Sequence, residues 1–243
     1  RVKRGFEKKN GDGLQLSVSM GCAVKTEESV DLRTVMREAE EWMYHQKLLE
    51  SSSYRNSIIN TLLATLYEKS NATEEHAQRL KEYCITMGKA LQLNAEDLNE
   101  LALLAVLHDI GKVGIHQSIL QKEGPLNGEE WADMKQHVEI GYRIAQNTPE
   151  LSSVAEHILS HHERWDGSGY PRGLKGQQIP LFCRILSVTD AYDAMTYDRS
   201  YRKALPTEEA KQELLRGSGS QFDPDMVNLF LELLKAGKIP SFQ

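Results

Sequence analysis

Cysteine is scarce in this chain. Three occur in 243 residues, Cys22, Cys84 and Cys183, far apart and without CxxC spacing, so neither a disulfide framework nor a thiolate zinc site is expected and a reducing cytoplasm is the default location. Long apolar runs are missing too. The longest, LALLAVL at 101–107, falls far short of the roughly 20 residues of a membrane span, so no membrane contact is expected within this stretch. Nor is positive charge in excess: 29 Lys and Arg against 35 Asp and Glu give a net charge of −6, which argues against a nucleic-acid polymer as partner. Any anionic substrate must therefore be held locally. Phosphate-loop chemistry is absent as well. IGK at 110–112 would need glycine where Val106 stands, and GSG at 167–169 lacks the preceding strand and third glycine of a dinucleotide fingerprint. The chain opens on Arg1 rather than Met, which leads us to expect a piece of a longer protein with a sensor or membrane anchor upstream.

What is present is a 40% apolar composition, enough for one sizeable core and a smaller second unit. Residues 14–24, LQLSVSMGCAV, follow the turn signal NGDG and read as a strand. Leu32, Val35, Met36, Ala39 and Met43 recur at helical spacing behind Asp31 as N-cap. Ser51–Ser53 interrupt that period, and Ile58, Ile59, Leu62, Leu63 and Leu66 resume it. We therefore expect a connecting helix over 48–70, of a kind that pairs with its twin in a homodimer. Beyond it helix follows helix: Asn71 with Glu74 and Asn94 with Asp97 resemble N-terminal caps, and EEWADMKQHVEIGYRIAQN, LSSVAEHILSHH and IPLFCRILSVTDAYDAM read as helical. Asp223-Pro224 opens a last helix that ends near Gly237. The fold class expected is mainly α, a helical bundle domain with a small α/β segment at its N-terminal end.

Histidine carries the chemistry. His108, His137, His157, His161 and His162 fall within 55 residues that also contain Asp109. His108 and Asp109 offer an imidazole and a carboxylate from consecutive positions at the end of an apolar helix. A carboxylate has two oxygens and can bridge two cations, so Asp109 is the natural centre of a dinuclear site. His161 and His162 add two imidazoles, His137 another, and Asp190 a carboxylate flanked by apolar residues. Each alone is more often a solvated or hydrogen-bonded side chain; their coexistence reverses that reading. His157 lies four residues before His161 but reads as a packing or supporting histidine, there being no HExxH, and His45 and His116 read as surface residues.

HDIGK, HHERWDGSGYP and DAYDAM, in this order and spacing, resemble the HD-GYP domain, a branch of the HD metal-dependent phosphohydrolases, over about residues 55–235. The resemblance implies an all-helical fold, divalent metals (iron or manganese first, zinc or nickel next) and hydrolysis of cyclic di-GMP to pGpG or GMP. It implies metal ligands at His76, His108, Asp109, His137, His161, His162 and Asp190, with Asp109 bridging. It places Lys112, Arg199 and Arg202 on the substrate phosphates, although Ser200 stands where the family has proline, and makes Gly169, Tyr170 and Pro171 a signature bend beside the bound phosphate. Members with a third metal carry a glutamate where this chain has Ala72, so two ions are expected. Residues 1–47 resemble the tail of a GGDEF domain without its signature, which divides the chain into 1–47, the connecting helix 48–70 and the catalytic domain 71–243.

The mechanism so implied is attack by an activated water on phosphorus, with Asp109 and Lys112 as catalytic groups and Lys112, Arg199 and Arg202 as a charge clamp. Arg184 is a weaker clamp candidate that reads equally as half of a structural ion pair. Two other readings stay open: a cyclic-dinucleotide sensor with little turnover, and a module that docks signalling partners such as GGDEF proteins. No motif separates cyclic di-GMP from cyclic GMP-AMP.

Overall fold

The structure, a computed structural model, describes residues 31, 33, 35, 36, 39, 59–70, 73–198 and 203–240. The chain divides into two compact units, Arg1–Thr61 and Leu62–Gln243. In the first, the described residues 33, 35, 36 and 39 are helical, in line with the expected period. The strand at 14–24, most of the GGDEF-like segment, residues 48–58 of the connecting helix, and His45 lie outside the described residues; positions 59–69 are helical.

The second unit is built from helices α1 (Glu74–Ala90), α2 (Ala95–Leu107), α3 (Gln117–Leu120), α4 (Gly128–Lys135), α5 (His137–Gln146), α6 (Ala155–Ser160), α7 (Leu181–Thr196), α8 (Thr207–Gly217) and α9 (Pro224–Lys235). Short 3-10 turns at Ile110–Gly114, Pro149–Val154 and Gly176–Gln178 connect them. Among the described residues there is no strand, and no helix is long and apolar enough to cross a membrane. The chain is mainly α.

Helix α1 shows how the pattern becomes structure. Ala77, Leu80, Cys84 and Met87 recur three and four apart and are buried, with Tyr83 beside them, while Glu74 and Glu75 lie at the positive end of the helix dipole. Its cap is Thr73, whose hydroxyl accepts from the His76 amide, and not Asn71, which lies outside the described residues. Asn94 caps α2 as expected, accepting from the Asp97 amide at 2.9 Å. Asp223 caps α9 ahead of Pro224, and Gly237 ends it at φ 65°, a left-handed conformation that costs glycine little. Tyr83, Tyr192 and Phe230 meet edge-to-face and tie α1, α7 and α9 into one core.

The stretch EEWADMKQHVEIGYRIAQN departs from its reading as one helix. It breaks at Gln136 into α4, which buries no residue, and α5, which buries His137, Val138, Gly141 and Ala145. The break lets a surface helix and a core helix meet at His137.

Candidate metal centre

Five segments bring their polar residues to one place. His76 comes from the first turn of α1, His108 and Asp109 from the end of α2, His137 from the start of α5, His161 and His162 from the end of α6, and Asp190 from the middle of α7. Gly111 makes one of these meetings feasible. A Cβ there would stand 1.8 Å from the His137 carbonyl oxygen and 2.5 Å from the Gly141 amide nitrogen, so only glycine lets the turn after Asp109 press onto α5. In HDIGK the glycine thus serves packing.

The donors fall into two groups, each with atoms within 4.8 Å of one another: Asp109, His137, His161 and His162 form one, and His76, His108 and Asp190 the other. Asp109 faces both. Its Oδ1 is 3.6 Å from His137 Nε2 and its Oδ2 is 3.4 Å from His108 Nε2. The expected ligands are therefore all gathered, with the carboxylate between two half-cages. Asp190, at 35% side-chain exposure, is less dry than its apolar neighbours imply.

The ring orientations follow from one repeated bond. Nδ1 of His108, His137 and His161 lies 3.0, 2.7 and 2.7 Å from the carbonyl oxygens of Ala105, Met134 and Ile158, each three residues back. A carbonyl can only accept, so each Nδ1 carries the proton and each Nε2 presents a lone pair to the cage. Nε2 of His137 and of His161 is buried without a partner. An unsatisfied buried acceptor costs about 1–3 kcal/mol, and two aimed at one carboxylate fit a cation as their missing partner. Titration agrees. Burial and neighbouring imidazoles hold His161 well below the usual histidine range, and burial followed by His137 brings His162 to about 3, so both are neutral imidazoles at neutral pH. Burial alone would raise Asp109, yet the Lys112 ammonium holds it well below the usual carboxylate range, and it stays ionised. Lys112 Nζ sits 2.6 Å from Asp109 Oδ2.

Two supporting carboxylates escaped the sequence reading. Asp193, one turn after Asp190 on α7, accepts from His76 Nδ1 at 2.7 Å and from Arg79 Nε and Nη2 at 2.6 and 2.9 Å. Helix α7 thus holds the His76 ring by Nδ1, and Asp190 Oδ1 lies 3.6 Å from its Nε2, beyond hydrogen-bond reach. Glu163, 4% exposed, accepts from the amides of Arg172 and Leu174 and pins the loop after the signature bend. The doublet DAYD and the unusual HHE were the available signals.

In the bend itself the glycines divide the work. Gly167, at φ 85°, makes the turn, whereas Gly169 allows close approach: a Cβ there would lie 2.3 Å from the Arg164 amide nitrogen and 2.5 Å from Glu163 Cα. Tyr170 stacks on the His162 ring at 5.0 Å and 28°, and Pro171 follows it through a cis bond. Arg199, Ser200, Arg202 and Ala72 lie outside the described residues. Arg184 is taken by Asp223 at 2.7 Å, the structural half of its two readings. His157 stacks on Phe182, away from the cage, and His116 is exposed. Beside the cage a cleft of about 490 Å³ is lined by Trp131, Lys135, His161, Arg164, Tyr170 and Asp190, among others.

An all-helical domain that closes histidines and aspartates around a central His-Asp pair is a metal-binding hydrolase scaffold in outline. A family model described as an HD domain matches residues 60–226, and the chain belongs to that family. HD domains bind divalent metals, and these clusters could hold them. Among curated relatives, a cyclic di-GMP phosphodiesterase of Thermotoga maritima is 44% identical over 165 residues, 67% of this chain and 45% of that protein. The 3′3′-cGAMP-specific phosphodiesterase 2 of Vibrio cholerae is 38% identical over 177 residues, 72% of this chain and 34% of that protein. A crystal structure of a cyclic GMP-AMP specific phosphodiesterase from V. cholerae matches with a TM-score of 0.57 at 25% identity, covering 74% of this chain and 48% of that one. The chain thus spans less than half the length of these relatives.

Proposed function

We propose that this chain carries an HD-GYP-type phosphodiesterase that hydrolyses cyclic di-GMP to pGpG, GMP or both, using two divalent cations, iron or manganese before zinc or nickel. The observation that carries the reading is Asp109, whose two oxygens face separate sets of imidazoles. Support for the substrate comes from relatives named for cyclic dinucleotides, with cyclic di-GMP favoured by the relative at 44% identity.

In this reading Asp109 with His137, His161 and His162 holds one ion, and Asp109 with His76, His108 and Asp190 holds the other. Such a pair, when bound, polarises phosphoryl oxygens and acidifies a water toward neutrality. The chain does the rest. The Nδ1–H bonds to Ala105, Met134 and Ile158 keep the imidazoles in one tautomer and one orientation. Lys112, now on Asp109, brings an ammonium to the cage and neutralises a non-bridging phosphate oxygen, with Arg199 and Arg202 as its expected partners. Tyr170, stacked on His162, walls the cleft beside Gly169 and Pro171. Residues 1–47 act as the catalytically silent tail of a GGDEF domain, and the helix ahead of residue 71 serves as a dimer contact.

Product chromatography tests this. Protein loaded with Mn or reduced Fe should convert cyclic di-GMP to pGpG or GMP. Tight binding without product would favour the sensor reading.

A further inference from the structure

Trp131 stands outside the buried core. Helix α4 is fixed at its start by a capping box, Asn127 accepting from the Glu130 amide and Glu130 from the Asn127 amide, and it buries no residue at all. Trp131 is 47% exposed on that helix. A lone exposed apolar side chain needs no explanation, but this one lines the cleft beside the metal cage. Its indole meets Tyr170 edge-on at 6.3 Å, and Tyr170 in turn stacks on His162, so rings lead from the surface to the cage. One face of Tyr170 is occupied by His162, which leaves the indole as the more open aromatic surface of the two.

Charge around it matches. Lys135, one turn further along α4, sits 5.9 Å from the Tyr170 ring centroid, and Arg164 lines the same cleft with its Nε donating to Ser168. An exposed ring in a cleft that cations also line is the arrangement by which proteins hold single-stranded nucleotides, the ring taking a base and the cations following the backbone. We propose that Trp131 is a stacking platform for one purine base of a cyclic dinucleotide whose scissile phosphate lies at the cage. This rests on the phosphodiesterase reading above and adds the part of the substrate that the cage does not touch. A ring face reads no base edge, so the platform contributes affinity without choosing guanine over adenine.

The test uses Trp131→Ala and Trp131→Phe in the metal-loaded protein, with cyclic di-GMP, 3′3′-cGAMP and methyl 4-nitrophenyl phosphate, a diester without a purine. Loss of a stacked base should lower kcat/KM for both dinucleotides by about tenfold or more relative to the simple diester in Trp131→Ala. KM should carry most of it, and Trp131→Phe should keep most of the wild-type ratio. A non-hydrolysable phosphorothioate of cyclic di-GMP should quench tryptophan fluorescence in the wild type, and Trp131→Phe should lose most of that quench. An unchanged substrate ratio in Trp131→Ala, or a full quench in Trp131→Phe, would overturn the platform. Wild-type protein that shows the Trp131-dependent quench yet releases no product would uphold the platform and remove the phosphodiesterase reading instead.

Discussion

Replacing Asp193 by alanine should damage the protein twice, and the two losses can be measured apart. Asp193 has a side chain 2% exposed and holds Arg79, 13% exposed, through two hydrogen bonds. Breaking a buried pair by removing one partner costs about 3–5 kcal/mol, because the other charge is left uncompensated. Arg79 keeps some access to water and its place over the Tyr197 ring at 3.6 Å, which puts the expected loss near the lower end, about 3 kcal/mol. Urea unfolding of the metal-stripped proteins reads the folding loss without any contribution from bound metal. The second loss is at His76, whose Nδ1 no longer has a carboxylate to donate to. Partners of this kind are worth about 10–100-fold in metal affinity, to be read by chelator competition with Mn. Asp193→Asn keeps one acceptor and should fall between wild type and alanine on both scales. Equal urea midpoints for metal-stripped wild type and Asp193→Ala, together with metal affinities within about twofold, a fifth or less of the smallest loss expected, would refute the reasoning.

Other substitutions probe the frame. Gly169→Ala forces a methyl against the backbone of 162–164 and should destabilise by about 1–3 kcal/mol in thermal unfolding, with turnover falling further as Tyr170 is displaced. Arg184→Ala leaves Asp223, whose side chain is 1% exposed, without its cation and should cost about 3–5 kcal/mol in urea unfolding while leaving KM for the dinucleotide near wild type. Cys84 and Cys183 are buried thiols, and burial pushes Cys84 up to about 12 and Cys183 higher still. In a Cys22→Ser variant both should resist Ellman reagent at pH 8 until the protein is unfolded.

Much of the fold could be read from local chemistry. The apolar face of α1, the caps at Asn94 and Asp223 and the stop at Gly237 are signals that neighbouring residues write together, and the structure follows them. The cage residues were legible for a related reason: His108-Asp109 and His161-His162 are adjacent pairs at the ends of apolar helices, so two donors appear where water is scarce. What escaped depends on contacts across the chain. Asp193 looks like any helix-surface acid until α1 delivers His76 and Arg79 to it from over a hundred residues away. Glu163 serves amides nine and eleven positions ahead, and Gly111 is required by a carbonyl on another helix. The break at Gln136 left no mark because both flanking segments carry helical periodicity, and only the change from an unburied helix to a buried one reveals it.

Metal content of Asp109→Ala against wild type, by elemental analysis after anaerobic purification with turnover assayed on the same samples, bears most directly on the shared carboxylate. The expected result is close to two ions per wild-type chain, and in the variant loss of bound metal together with loss of hydrolysis. An Asp109→Ala protein that kept both its ions and its rate would contradict the account.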